Sequence, residues 1–311
     1  MPKILITGGA GFIGSNMVDH YVQKGWDVGI YDNFSTGRKD FCNPAAQIFE
    51  GDITNKKYLE EVVKTFEPSV VSHHAAHVSV RNSFEHPQFD AEKNILGSIN
   101  IFDLAGKYNV EQIVFASTGG AMIEKNHKEF PAPVQVGNLD LDSPYALSKF
   151  CAEKYLRYFA KKHNYLATIL RYGNVYGPRQ TPKSEAGVIS IFIQQLLSRK
   201  APTIYGDGTQ TRDFIYIDDV VSGHSVATEK KISGTYNISS ASEISINQIH
   251  TILKGQLGNV DAKPIYDNLP FEELSRSCLD NRDFIHDSDW RPQWNFEEGI
   301  KKTIEWNKNQ L

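Results

Sequence analysis

Residues 7–14 read Thr-Gly-Gly-Ala-Gly-Phe-Ile-Gly, and this stretch decides how the rest of the chain is read. Three apolar residues, Ile4-Leu5-Ile6, precede it, and Phe12, Ile13, Met17, Val18, Tyr21 and Val22 follow at helical spacing. The pattern predicts a strand that runs into a tight glycine turn and then a helix. Gly8, Gly11 and Gly14 form a G-x-x-G-x-x-G turn, in which the backbone bends sharply, lies close to a pyrophosphate and lets the helix pack tightly on the sheet. Free N–H groups and a partial positive charge at the helix N-terminus suit phosphate oxygens. Alone the glycine pattern is weak, because a purely structural strand-to-helix turn uses the same residues.

The next strand strengthens it. Trp26-Asp-Val-Gly-Ile-Tyr31 ends in Asp32, eighteen residues beyond Gly14, where a dinucleotide-binding unit places the carboxylate that takes the adenosine ribose hydroxyls. An acid there repels a 2′-phosphate, so NAD is expected over NADP, with Arg38 nearby able to soften the preference.

The 311 residues, 40% hydrophobic, suffice for a large core. No apolar run approaches the roughly 20 residues of a membrane span, and Met1-Pro-Lys leads straight into the first strand, so a cytoplasmic protein with no membrane partner is expected. A net charge of −4 shows no basic excess, so no nucleic-acid partner is expected. Cys42, Cys151 and Cys278 are widely separated and odd in number, which reads as packing rather than a disulfide framework or metal site.

Apolar runs at 3–7, 27–31, 46–50, 69–73, 111–117 and 166–171 alternate with amphipathic stretches. This predicts a parallel, doubly wound sheet whose ligands collect at the carboxyl ends of the strands. There the sequence offers Asp52, for an adenine amino group or as a helix N-cap, then His74-Ala75-Ala76-His77, whose small alanines let a flat cofactor lie close. His73, His74 and His77 leave an extended strand in different directions with no carboxylate or cysteine at ligand spacing, so no metal is expected. Asn94, within a helix expected at about 85–107, either reaches backbone near the cofactor or faces water. Ser117 and Thr118 end a strand next to Gly119-Gly120, where their hydroxyls would lie near a nicotinamide or serve only a turn.

After the helix-start signal Asp142-Ser143-Pro144 come Tyr145 and Lys149, spaced i, i+4 on one helix face. A phenol is a poor base at neutral pH, but an adjacent ammonium and a positive nicotinamide ring favour its phenolate.

Taken together, TGGAGFIG, DNFSTGR, SPYALSK, RYGNVYGPRQ and IYGDGTQTRDFIYIDD resemble the extended short-chain dehydrogenase/reductase family, and within it the nucleotide-sugar epimerases typified by UDP-glucose 4-epimerase. The resemblance spans nearly the whole chain, weakening after about residue 240. It implies a Rossmann-type domain at 1–171 that later segments rejoin, and a smaller α/β substrate lobe made mainly of 172–311. It makes Tyr145 the general base, Lys149 the residue that holds the nicotinamide ribose, and Thr118 the partner of the reacting sugar hydroxyl. It places Phe12, Ile13, Asn33, Ser35, Thr36, Gly37, Ile53, Ala116 and Tyr172 at the cofactor, beside the residues read above. On the nucleotide-diphosphate sugar it places Ser117, Asn174, Val188, Tyr205, Gln210 and the phosphate-binding Arg212. It also implies a homodimer through the helices at about 85–107 and 145–162, with Ile99, Phe102, Leu104, Tyr155, Leu156 and Phe159 as apolar surplus.

Three departures bear on function. Ala121-Met122-Ile123-Glu124 stands where the family usually has a Tyr-Gly pair, which alters that wall of the sugar pocket. Pro270-Phe271-Glu272-Glu273 replaces an Arg-Pro-Gly-Glu motif, removing a second phosphate arginine; Arg276 is the candidate substitute, and Glu273 can still accept from the ribose. Gly119-Gly120 takes the place of the Asp-Glu pair of the sugar 4,6-dehydratases, removing the acid that elimination needs. The resemblance thus implies inversion at C4 of a UDP-hexose, with uronate epimerase, decarboxylase or reductase activity, or an idle NAD-binding scaffold, as alternatives. A uronate enzyme needs cations for its carboxylate, and the loop offers Arg179 but then Thr181.

Overall fold

Ile4-Leu5-Ile6 is apolar at every position because both faces of its strand are covered. In the computed structural model, which describes residues 1–125, 127–134, 139–181, 187–258, 263–268 and 274–310, this run lies in β1 (Lys3–Thr7). The glycine turn leads to α1 (Phe12–Gln23), followed by β2 (Asp27–Asp32), β3 (Gln47–Glu50), α2 (Lys56–Phe66) and β4 (Val70–His73). Two short helices, α3 (Val80–Glu85) and α4 (Pro87–Ala91), a π turn at Glu92–Leu96 and α5 (Gly97–Lys107) then reach β5 (Gln112–Thr118). Next come α6 (Pro144–His163), β6 (Leu166–Tyr172), β7 (Asn174–Tyr176), α7 (Val188–Leu197), β8 (Thr203–Tyr205), β9 (Thr211–Arg212) and β10 (Phe214–Tyr216). The last third adds α8 (Ile217–Glu229), β11 (Gly234–Ile238), β12 (Ile244–Ser245), α9 (Ile246–Leu257), β13 (Ile265–Asp267), α10 (Arg282–Ser288) and α11 (Phe296–Lys308).

Seven strands form one sheet in the order β11-β6-β5-β4-β1-β2-β3, and every pair is parallel. The fold is therefore α/β and doubly wound, with all six expected runs in the sheet and β11 joining from the later part of the chain. Because strand residues alternate, Ile4 and Ile6 face Met17, Val18 and Tyr21 of α1 and Val220 and Val221 of α8. Leu5, Ile113 and Phe115 face the other way, onto Leu59 and Val62 of α2, Phe102 of α5 and Leu156 of α6. Strand order reverses between β1 and β4, which opens a crevice at their carboxyl ends.

The helix expected at 85–107 is broken. His86 leaves helical geometry (φ −134, ψ 61) directly before Pro87, whose ring disfavours a helical predecessor, and the π turn interrupts the ladder again around Asn94. Phe102, Leu104 and Leu156 are fully buried and Phe159 nearly so, all in the sheet's own core, so none of them is surplus. The exposed apolar side chains of this region are Phe84, Phe89, Leu96, Leu147, Tyr155 and Tyr158. The three cysteines are free, and burial pushes the Cys278 thiol up to about 12. Among the described residues no helix is long and apolar enough to cross a membrane.

Under the crevice runs a buried polar chain. His74 Nε2 meets Ser72 Oγ at 2.8 Å, Ser72 Oγ meets His224 Nε2 at 2.7 Å, and His224 Nδ1 meets the Tyr21 hydroxyl at 3.0 Å. His73 is held separately by Thr7 Oγ1 (2.7 Å) and Ser98 Oγ (3.0 Å). Burial holds His73 and His74 near 3, far below the ordinary 6.5, and His224 well below it too. These histidines fold neutral but take up protons when unfolded, so their stabilisation is complete above about pH 6.5 and is lost as pH falls toward 3. Each should contribute a slope of about 1.4 kcal/mol per pH unit inside that window. The urea midpoint is therefore expected to drop between about pH 6.5 and about pH 5, above the range where most carboxylates titrate. A midpoint that stays flat over that interval would show that the three imidazoles do not set acid stability.

Candidate active site

The carboxyl edge of the sheet gathers most of the residues singled out from sequence. Gly8 adopts φ +70, and a Cβ there would lie 2.7 Å from the Ala75 backbone nitrogen; at Gly14 it would lie 2.1 Å from Gly8 O. Neither position accepts a side chain, whereas at Gly11 the one close atom is Gly8 O at 3.2 Å. The turn thus presses β1, α1 and the Ala75-Ala76 exit of β4 together and presents the start of α1, Phe12 and Ile13 included, at the crevice.

Asp32, at the end of β2, is nearly buried and accepts the Ala10 N–H on Oδ2 (3.0 Å) and the Phe34 N–H on Oδ1 (2.8 Å). Burial pushes its carboxyl up while these two bonds pull it down. Each oxygen keeps a lone pair for a ribose hydroxyl. Gly37 packs against it, and Asn33 Oδ1 folds the following loop by accepting from Ser35 N (3.0 Å) and Oγ (2.7 Å); Thr36 is exposed beside it. Asp52 is not the cap of α2, a role that falls to Asn55, which accepts from Tyr58 N. Its oxygens instead accept from Thr54 (2.9 and 2.7 Å), Asn33 (2.9 Å) and Lys93 (2.9 Å), and the hydrogen bonds hold its carboxyl well below the usual range despite desolvation. Ile53 is buried under Gly97. Asn94, carried on the π turn, is consumed by the protein: it accepts from His77 N and donates to His77 O (both 2.8 Å), Asp90 Oδ1 (3.0 Å) and Ser148 Oγ (3.1 Å). It braces the β4 exit against α6.

His74 stacks on Tyr172, with ring centroids 6.4 Å apart and planes 13° apart. Its Nδ1 and the Tyr172 hydroxyl are both buried polar atoms with no partner among the described residues. Two orphaned groups at the strand ends, a carboxylate with lone pairs to give and a glycine cradle that excludes side chains all fit a bound dinucleotide. Among the described residues no group of His, Cys, Asp or Glu is arranged to hold a metal ion; His73, His74 and His77 turn to Thr7, Ser72 and Asp90 respectively.

Ser143 caps α6 by accepting the Ala146 N–H (3.1 Å), and Pro144 opens it, setting Tyr145 in the first turn. Tyr145 is half-buried, and its backbone N–H donates to Ser83 Oγ at 3.2 Å. Lys149 is buried at 4% exposure with its ammonium 4.2 Å from the centroid of the Phe115 ring. Burial lowers it to about 7, against the upward pull of Glu153 and Asp90. Thr118 ends β5 opposite Tyr172, and Ala116 lies on the same strand. Ser117 turns away: its hydroxyl donates to the buried Glu153 at 2.6 Å, so it is not free for a substrate.

On the lobe side Asn174 starts β7 and lies near Gly120 and Ser277. Val188 begins α7, and Gln210 donates to Tyr205 O at 2.8 Å. Arg212 donates to Thr211 O (2.8 Å) and Leu274 O (2.9 Å), next to Arg276 through the Thr211–Arg276 bridge. Arg276 is itself clasped by Glu243 through Nε (3.0 Å) and NH2 (2.6 Å), so its charge is already matched. Glu273 and the rest of 269–273 lie outside the described residues. Met122 and Ile123 are buried, Ile123 against Ala132 and Leu279. Arg179 bonds Asp19 of α1 at 2.6 Å. Sequence reasoning missed Glu153, Asp90 and Asp213; the last, buried, accepts from Leu279 N (3.1 Å) and Ser240 N (2.9 Å) and fixes the lobe beside Arg212. For Glu153 the available signal was its place four residues after Lys149.

A cradle for a dinucleotide at the carboxyl edge of a doubly wound sheet, with Tyr145 and Lys149 one turn apart on α6, is the arrangement of the short-chain dehydrogenase/reductase class. The comparison with known proteins narrows this. The NAD dependent epimerase/dehydratase family matches residues 4–239, and the chain belongs to that family, whose cofactor is NAD. A protein of Methanocaldococcus jannaschii provisionally named UDP-glucose 4-epimerase is 41% identical over 98% of each chain. The crystal structure of the Thermotoga maritima UDP-glucose 4-epimerase with UDP-glucose superposes with a TM-score of 0.95 at 37% identity, covering 99% of each chain. A UDP-glucuronate 4-epimerase of Thermodesulfobacterium geofontis is 31% identical, covering 100% of this chain and 98% of the relative.

Proposed function

We propose that the protein inverts C4 of a nucleotide-diphosphate hexose, with UDP-glucose and UDP-galactose as the pair, through a transient 4-keto sugar. The observation that supports this reading is that Tyr145 and the buried Lys149 stand one turn apart on α6, while Thr118 ends β5. NAD, held by the residues named below, would supply a reversible hydride acceptor for C4. Tyr145 removes the proton from the 4-hydroxyl and returns it after the sugar has turned over, and Thr118 hydrogen-bonds the same oxygen. Lys149 binds the ribose and favours the phenolate by its charge. Gly8, Gly11 and Gly14 hold the pyrophosphate, and Asp32 the adenosine ribose. Asn174, Val188, Tyr205, Gln210 and Arg212 enclose the nucleotide diphosphate. The Arg179–Asp19 bond supports a neutral hexose over a uronate, because it occupies the cation that a sugar carboxylate would need.

Incubation with a panel of UDP-, dTDP-, GDP- and CDP-sugars, followed by NMR, tests the reading: the 4-epimer of a UDP-hexose should form without added NAD, and deuterium at C4 should survive many turnovers. Washout of that label, or stoichiometric NADH with oxidised sugar released, would make the enzyme a dehydrogenase.

The exposed Phe84, Phe89, Leu96, Leu147, Tyr155 and Tyr158 support a homodimer across α3, α4 and α6, since a two-fold contact uses one patch twice. Light scattering at micromolar concentration should give twice the 35.0 kDa chain mass, and Leu147→Glu should shift it toward one chain. A monomer mass for the unaltered protein would remove this assignment.

A further inference from the structure

Glu153 lies one turn along α6 from Lys149 and is 1% exposed. Three donors converge on it: Ser117 Oγ at 2.6 Å, Arg171 Nε at 2.8 Å and Arg171 NH2 at 2.7 Å. The last two form a buried, bidentate fork. Ser117 and Arg171 are register partners on β5 and β6, and the next pair along is Thr118 and Tyr172. One carboxylate thus ties α6 to the two strands at the point where the site residues emerge.

A buried ion pair is poor at stabilising a fold, because desolvating both charges offsets most of their attraction. Apolar residues of similar volume would close this gap at least as well. What they could not supply is a fixed depth and rotation for α6, together with a negative charge near Lys149. We propose that Glu153, clamped by Arg171 and Ser117, is a positioning residue that sets the geometry and charge of the Tyr145–Lys149 pair. This rests on the catalytic reading of that pair given above. Around the Lys149 ammonium lie Glu153 on α6, Asp90 on α4, His73 and His74 at the end of β4, the Phe115 ring on β5 and, through Glu153, Arg171 on β6. Both histidines are neutral, so Glu153 and Asp90 are the charges that oppose the burial of Lys149.

The test is the pH dependence of kcat with UDP-glucose. In Glu153→Gln, which keeps shape and loses charge, kcat should fall about tenfold with KM unchanged. The alkaline limb, where Lys149 loses its proton, should move lower, by about one pH unit, as removing a nearby opposite charge does. Should the lone Arg171 charge prevent folding, Glu153→Gln combined with Arg171→Met removes both charges together and should move the limb in the same direction by less. Ser117→Ala, which removes one hydrogen bond and no charge, should leave the limb in place. A folded Glu153 variant with wild-type kcat and an unmoved limb overturns the proposal, even if Tyr145→Phe is inactive. An active Tyr145→Phe would instead overturn the reading of the pair itself, whatever Glu153 does.

Discussion

Tyr145→Phe should lower kcat by about 10²–10⁴-fold while the protein keeps its NAD and its affinity for the nucleotide sugar. The substitution removes one oxygen and almost no volume. Its effect on the fold should be small, because Ser143 caps the first turn of α6 and the backbone N–H of Tyr145, which the substitution keeps, donates to Ser83. Turnover and binding are therefore separable. The measurement is single-turnover NMR of UDP-glucose beside a titration of the sugar nucleotide. Turnover within threefold of the wild type would end the assignment of Tyr145 as base.

Asp32→Ala should yield protein purified largely empty of cofactor, with activity restored by added NAD. Two hydrogen bonds from ribose hydroxyls to one carboxylate contribute about 1.5–3 kcal/mol each, or roughly 10²–10⁴ in affinity together. The same change strips acceptors from Ala10 N and Phe34 N, so part of the loss will come through the loop rather than the ribose. Asp32→Asn separates the two. It keeps an acceptor for one backbone N–H and should hold NAD more tightly than the alanine variant but less tightly than the wild type. Absorbance in the nicotinamide band of the purified proteins checks both, and full retention by Asp32→Ala would rule out the ribose contact.

The fold was legible because its signals are local. The glycine turn, the alternation of apolar runs and the acid after the second strand each follow from backbone geometry or strand period. What escaped depended on pairings across the chain. Arg276, read as a spare phosphate ligand, meets Glu243; Arg179 meets Asp19; Ser117 meets Glu153. In each case the residue type was right for a ligand, but a closer protein partner satisfied it, and no spacing rule reveals a partner 160 residues away, as with Asp19 and Arg179. The apolar residues at 99–104 and 155–159 show the same limit. Helical periodicity marks an apolar face without saying whether a sheet or a second chain covers it, and here the sheet takes Phe102, Leu104 and Leu156.

The seventh strand has a bearing on modularity. β11, late in the chain, pairs with β6, and α8 packs on α1 through the Tyr21–His224 contact, so the chain returns to the central sheet after leaving it at β6. A fragment ending near residue 171 would keep every glycine of the nucleotide cradle. It would also present β6 as a bare edge rich in Ile169 and Leu170, with the face of α1 that α8 covers exposed to water. Such a piece would aggregate before it could bind anything. The first half therefore cannot be borrowed as an independent cassette: the chain beyond residue 171 finishes the very sheet that carries the glycine turn.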